Sequence, residues 1–244
     1  MKYVPDRTGR FAKRPHYEAA ELDRECERII SDFLRKKYGE SKYPVSTSDL
    51  TILLEKEVEV LDVYADLSEF GENVEGVTIF SRTGKPSVRI AGVLTDDSTR
   101  GNRLRTTLTH EFGHVHFHAY LWNPAVMELD FGSAFSGAKG SADNRQICKR
   151  ETMLEASASD WMEWQAGHVC GAILMPVSRV KRLIHDTFPD DIGPSTVTPQ
   201  SSVGLQVIGA VQEAFSVSQD AARVRLLRLG LLQPAGGPAS LFEV

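Results

Sequence analysis

The sequence predicts an α+β protein, on three observations. Residues 18–38 place Leu22, Cys26, Ile29, Ile30, Phe33 and Leu34 at three- and four-residue steps among charges, the pattern of an amphipathic helix. Residues 58–94 hold three short β-branched runs, VEVLDVYADL, VEGVTIF and PSVRIAGVL, which read as strands of a small, mainly antiparallel sheet. Beyond residue 100 the pattern returns to helical spacing in three separate stretches.

The 244 residues are 41% apolar and 25% charged, which supports a packed core and excludes a disordered chain or a fibrous rod. By length the chain fits two domains, or one compact domain with appendages. Its apolar runs are short against the ~20 residues of a membrane helix, so no span is expected. The net charge of −5 lacks the basic excess of a general nucleic-acid binder. Cys26, Cys148 and Cys170 are widely spaced and odd in number, against a disulfide framework or a cysteine-rich zinc finger. The basic N-terminal stretch has no apolar segment after it, unlike a secretory signal, and a cytoplasmic setting is expected.

In order, residues 1–17 carry Pro5, Gly9 and Pro15 among charges and are expected to be an extended arm. Gly39 and Pro44 close the first helix. Ser48-Asp49 then offers a polar cap to a second helix holding Leu50, Ile52, Leu53 and Leu54. The three strands are separated by Gly71, Gly76, Gly84 and Pro86, with SRTGKP as a turn. Leu104, Leu108, Phe112, Val115 and Phe117, with no proline before Pro124, predict a helix over 101–121. Residues 123–150 are small, polar and glycine-containing, and are expected to be a long mobile surface loop that gates a cleft. Ser159-Asp160 caps a predicted helix over 161–174, with Pro176 beyond it. PDDIGPSTVTPQSS reads as a linker, and residues 203–230 as helical with a break near Ser216-Val217-Ser218.

His110-Glu111-Phe112-Gly113-His114 carries the chemistry. On an α-helix, residues four apart sit about 40° apart in azimuth and about 6 Å along the axis, so both imidazoles can grip one zinc ion. Glu111 falls about 100° round from His110, beside such an ion rather than on it. Zinc lowers the pKa of a bound water towards ~7, and a nearby carboxylate can take its proton. HExxH on a helix is the metalloprotease signature built on this geometry. The competing reading, a solvated histidine pair, is disfavoured by the apolar character of the helix.

A catalytic zinc site takes a third protein ligand and leaves a position open. Downstream candidates are Cys148, Glu151, Glu155, Asp160, Glu163 and His168. Glu163 is preferred, because a carboxylate among Trp161, Met162, Trp164, Ala166, Val169 and Ile173 needs a partner. His118 shares the face of the pair but lies about 12 Å along the axis from His110, too far to join it on one ion. His116 points the other way and reads as structural.

RTTLTHEFGHVHFH, followed by a helix reading MEWQAGHVCGAILMP, resembles the ImmA/IrrE family of zinc metallopeptidases. Its members share an "RFTLAHELGHLLLH"-like helix and a later "EWQANxFAxxLLMP"-like helix. The resemblance runs from the first helix to about Gly230. It implies a zincin-like metallopeptidase domain over 18–180, with His110, His114 and Glu163 as zinc ligands and Glu111 as the catalytic base. Gly167-His168 departs from the family pattern, where Asn and an aromatic or basic residue are usual; Arg105 stands where a family arginine often precedes the motif.

The resemblance further implies an intracellular endopeptidase that cuts a specific transcriptional repressor, controlling a mobile element, a prophage or a stress response. Residues 195–244 form a helical C-terminal region in this reading. There AVQEAFSVSQDAARVRLLRLGLL resembles a helix-turn-helix, and Arg223, Arg225 and Arg228 could touch phosphate. Packing of Ala221, Val224, Leu226, Leu227 and Leu229 on the core, with solvated arginines, is the favoured alternative. A non-enzymatic regulator with a structural zinc site is the competing function. Tyr120, His118 and Arg105 are candidates to stabilise an oxyanion.

Overall fold

The computed structural model describes residues 1–123, 144–149, 160–188 and 197–234. The chain is mixed α+β, as its sequence predicts. Strands β1 (Lys2–Pro5) and β2 (Lys13–His16) pair antiparallel, Lys2 opposite His16 and Pro5 opposite Lys13. The expected extended arm is therefore a hairpin. Asp6 organises its turn, accepting from the Thr8 and Phe11 amides at 3.0 Å each, while Gly9 supplies a φ of 76°.

Helix α1 (Ala19–Tyr38) buries Leu22, Cys26, Ile30, Phe33 and Leu34, the stripe its spacing predicts. Glu18 and Glu21 form a reciprocal capping box, and Gly39 ends the helix at φ 80°. Helix α2 (Thr47–Glu55) is capped by Ser46, whose hydroxyl accepts from the Asp49 amide, two residues earlier than the Ser48-Asp49 expectation.

Strands β3 (Val60–Ala65), β4 (Val74–Ile79), β5 (Ser87–Ala91) and β6 (Arg145–Lys149) form one sheet in the order β3-β5-β4-β6. Two of its pairings are antiparallel and β3–β5 is parallel, a small and mainly antiparallel sheet. Strand β6 corrects the expected loop over 123–150. Gln146, Ile147 and Cys148 alternate buried and half-buried beside β4, and the ladder Gly76↔Cys148 to Ile79↔Arg145 anchors them. Residues 124–143 and 150, the rest of the expected gating loop, lie outside the described residues, as does most of the expected linker.

A short helix α3 (Gly92–Asp96) leads into α4 (Gly101–His118), which carries the histidine motif. It ends three residues earlier than expected and passes into a 3-10 turn over Ala119–Trp122. Helix α5 (Trp161–Leu174) matches the expected 161–174 and is capped by the Asp160 carboxylate. Helix α6 (Val177–Thr187) follows directly from Pro176, which starts a helix as well as closing one; it buries Val180 and Ile184. Helices α7 (Ser202–Phe215) and α8 (Gln219–Arg228) flank the expected break.

One hydrophobic core joins α1, α2, the sheet, α4 and α5 to Val207, Ile208, Val211, Phe215 and Leu226 of α7 and α8. A smaller cluster gathers Phe11, Phe80, Leu121, Trp122, Trp161 and Met162. No helix among the described residues is long and apolar enough to cross a membrane.

Arg225 of α8 is 2% exposed, a correction to the expectation that the arginines of this helix are solvated. Its guanidinium reaches Asp23 of α1 at 2.7 Å, and the same Asp23 oxygen lies 2.9 Å from Nε2 of His168 on α5. Burial pushes the Asp23 carboxyl up, but His168 and Arg225 outweigh it and hold it below its ordinary value. Burial pushes His168 down, against the raising influence of Asp23. Both folded values are depressed, so both contributions to stability are present above the unfolded values and lost on acidification. The His168 part fades below pH ~6.5 and the Asp23 part below ~3.9. Asp23→Asn leaves the buried Arg225 charge uncompensated and is expected to cost about 3–5 kcal/mol in chemical denaturation. A loss of under about 0.5 kcal/mol, the size of an ordinary surface change, would refute this account.

Candidate metal centre

Helix α4 is buried along nearly its whole length, between α5, α2 and β4. His110, Glu111 and His114 are each 0% exposed and Glu163 3%. The structure brings His110, His114 and Glu163 together as a buried group that can hold a metal ion. His110 Nε2 lies 3.1 Å from both His114 Nε2 and Glu163 Oε2, and His114 Nε2 lies 3.1 Å from Glu163 Oε1. Ligand atoms about 2.0–2.1 Å from zinc at tetrahedral angles are about 3.3 Å apart, so the spacing fits one such ion. The donor set, two imidazoles and a carboxylate, also suits zinc.

Helix geometry explains the first two ligands, and a close helix contact supplies the third. A Cβ on Gly113 would meet the Ala166 Cα at 2.9 Å, so α4 and α5 touch at backbone level there. Glu163 lies one turn before Ala166 and projects onto the histidine pair. Burial raises its pKa, but the neighbouring His114 and His110 prevail and hold it a carboxylate, far below the ordinary range. Gln146 of β6 donates to its Oε1 at 2.6 Å.

A hydrogen-bond relay fixes the protons on His114. The Pro15 carbonyl only accepts, so Gln165 donates its amide to it at 3.0 Å. Gln165 Oε1 then accepts from His118 Nε2 at 2.9 Å, which leaves His118 Nδ1 to accept from His114 Nδ1 at 3.3 Å. The Nε2 lone pair of His114 therefore faces Glu163 and His110, as a metal ligand requires. Burial pushes His118 down to about 3, so it serves the relay as a neutral ring.

Glu111 stands beside this group. Thr78 of β4 donates its hydroxyl to Oε2 at 2.5 Å, while Oε1 is buried without a hydrogen-bond partner among the described residues. Burial raises the Glu111 pKa, against the lowering effects of His114, His110 and Thr78. The carboxylate lies directly over Gly76, where a Cβ would come within 2.3 Å of Oε1.

The remaining candidates separate clearly. Cys148 lies close to His110 and Glu111, and burial pushes its thiol well up. Asp160 accepts from the Glu163 amide as the cap of α5. His168 is engaged with Asp23, away from the motif. Glu151 and Glu155 lie outside the described residues. His116 is half-buried, 3.4 Å from Glu57 and stacked on Phe112, a structural place. Of the oxyanion candidates, Arg105 donates to the Phe215 carbonyl at 3.0 Å and His118 belongs to the relay, which removes both. Tyr120 meets the Tyr3 hydroxyl at 3.3 Å.

Compared with models of known protein families and with curated protein sequences, the chain matches none. The site is thus read from its own geometry.

Sequence reasoning does not find Thr78, Gln146 or Gln165, because their roles depend on which strand or helix faces the motif. Gly76, expected to split the strand runs, instead lies inside β4, opposite Ile90 and Cys148. Gln165→Ala is expected to weaken zinc affinity about 10–100-fold in chelator competition, the usual cost of losing an outer hydrogen-bond partner. Gly76→Ala is expected to displace Glu111 and cost about 1–3 kcal/mol in thermal unfolding, through overpacking. An unchanged melting temperature would show that the strand and helix part freely there.

Proposed function

We propose that the chain is a zinc-dependent endopeptidase of the ImmA/IrrE kind, acting in the cytoplasm on one transcriptional repressor or regulator. In this reading residues 18–180 carry a zincin-like peptidase fold and residues 195–244 a helical extension. The observation that carries it is the meeting of His110, His114 and Glu163 beside a second carboxylate, Glu111, with one oxygen held and one unpaired.

A zinc ion bound here supplies a Lewis acid that polarises a peptide carbonyl and acidifies water. His110 and His114 would offer Nε2 to it, and Glu163 its carboxylate. Thr78 holds one Glu111 oxygen still, so the other takes the proton of the attacking water and returns it to the departing amine nitrogen. Burial of the whole group strengthens each of these charges relative to water. The regulator as substrate rests on the resemblance of RTTLTHEFGHVHFH and MEWQAGHVCGAILMP. A packing role for α8, rather than a phosphate-binding one, is supported by the buried Arg225 and by Arg228, which donates to the Gly167 carbonyl at 3.0 Å.

One observation favours a second reading. Cys148 lies within 4.8 Å of His110 and Glu111 at the ligand atoms, and as a further ligand it would close a structural site in a non-enzymatic regulator. One experiment separates the two. Purified protein is assayed for zinc, and the chain is co-expressed with any transcriptional regulator encoded beside its gene. About one zinc per chain is expected. Glu111→Gln should keep the metal and cut cleavage about 10²–10⁴-fold. Cys148→Ala should keep both metal and cleavage; loss of zinc in that variant supports the closed site. Full cleavage by Glu111→Gln defeats the proposed mechanism.

A further inference from the structure

The N-terminal hairpin touches the metal centre at several points, and none of its residues belongs to the proposed chemistry. Arg10 donates from Nη1 to Gln146 Oε1 at 2.7 Å, and Gln146 in turn holds Glu163. The Pro15 carbonyl ends the relay that orients His114. The Arg14 guanidinium lies 5.6 Å over the Trp161 ring. Between these ties Phe11 enters an aromatic pocket and is 5% exposed. Its ring meets Trp122 edge-on at 5.0 Å and Trp161 at 6.3 Å. Phe80 stacks on Trp122 at 3.7 Å to complete the wall, with Met162 beside them.

This pocket is continuous with the site. Met162 precedes the ligand Glu163. Phe80 lies two residues beyond Thr78, whose hydroxyl holds Glu111, just past the end of β4. Trp161 lies 5.3 Å from the His118 ring. The pocket is a cluster separate from the main core, and its occupant comes from the least self-sufficient part of the fold. Two strands of four residues are at most marginally stable alone. The motif side chains are closed to solvent, so a peptide reaches Glu111 only when a covering segment moves aside. The hairpin contributes no buried residue to the main core and can leave without opening it.

We infer that the pocket of Phe80, Trp122, Trp161 and Met162 is a subsite for a large apolar side chain of the peptide substrate. Phe11 of the chain's own hairpin occupies it at rest. The inference rests on the peptidase reading and adds to it a preference for an aromatic or bulky aliphatic residue near the cut bond. It also adds a resting state in which the chain blocks its own site. Arg10 strengthens the block by tying the hairpin to the ligand carboxylate through Gln146.

The test uses the full-length chain. The tripeptides acetyl-Ala-Phe-Ala-amide and acetyl-Ala-Ala-Ala-amide are added separately, and amide hydrogen exchange is followed in β1 and β2. The Phe peptide is expected to raise exchange in both strands and the Ala peptide to leave it unchanged. Arg10→Gln, which retains the Phe11 side chain but cuts the tie to Gln146, should bind the Phe peptide more tightly. An affinity gain of about tenfold corresponds to a hairpin docked ~90% of the time in the native chain. In parallel, Phe11→Ala and Arg10→Gln are assayed on quenched peptides differing only at one apolar position, with faster cleavage and preference for Phe over Ala expected. Arg10→Gln stands if Phe11→Ala fails to fold.

Hairpin exchange that ignores both peptides, with Arg10→Gln like the native chain, overturns the inference even if the native chain cleaves well. Displacement of the hairpin by the Phe peptide with no cleavage by any variant upholds the pocket and overturns the peptidase reading instead.

Discussion

Gly113 on α4 and Ala166 on α5 meet with no room for a side chain on the glycine, a Cβ there lying 2.9 Å from the Ala166 Cα. Helices with ordinary side chains between them stand about 8–10 Å apart, and this pair must be at the near end of that range. One turn from that contact on each helix stand His110 and Glu163, and His114 directly follows Gly113. Their reach is short, since an imidazole and a carboxylate are both small beside the width of a helix pair. A wider gap would leave two half-sites facing each other across a void. The metal centre is thus a consequence of backbone proximity first and of ligand chemistry second.

The same crowding makes the polar groups expensive. His110, Glu111, His114, His118, Glu163 and Gln165 are all buried, and each needs partners to offset its desolvation. The fold meets most of that need with directed hydrogen bonds that end on groups of fixed polarity, a proline carbonyl at one end and an arginine at the other. Two of their atoms find no hydrogen-bond partner among the described residues, Nδ1 of His110 and Oε1 of Glu111. An unpaired oxygen on a buried carboxylate is a poor way to stabilise a fold and a good way to move a proton.

Much of this was legible in the residues. Helix α1 and helix α5 fall where apolar spacing and a capping Asp160 put them, and the HExxH spacing points both imidazoles to one side. Glu163 was legible because a charge amid tryptophans must be compensated. What was hidden is hidden for physical reasons. The β1–β2 hairpin has little local preference of its own and is held by Phe11 in a pocket built from residues 80 to 162, which no short window contains. Strand β6 sits in a polar stretch because Gln146 and Cys148 face the site rather than an apolar core. Arg225 reads as solvated until the fold shows Asp23 across from it, two hundred and two positions away. Helix α6 is hidden by Pro176, which ends one helix and caps the start of the next.

The buried Arg225 also bears on how the chain can be divided. Its head group enters between α1 and α5, donating to the Met175 carbonyl at 3.1 Å as well as to Asp23, while Arg105 of the motif helix reaches back to the Phe215 carbonyl. Removing the last two helices would strip a counter-charge from Asp23, an acceptor from Arg105 and the cover from one side of α5. A fragment for expression or crystallisation that stops near residue 195 would keep every metal-binding side chain and lose the scaffolding behind them. The shortest useful fragment runs on through Leu232, whose buried side chain closes the last corner of the main core.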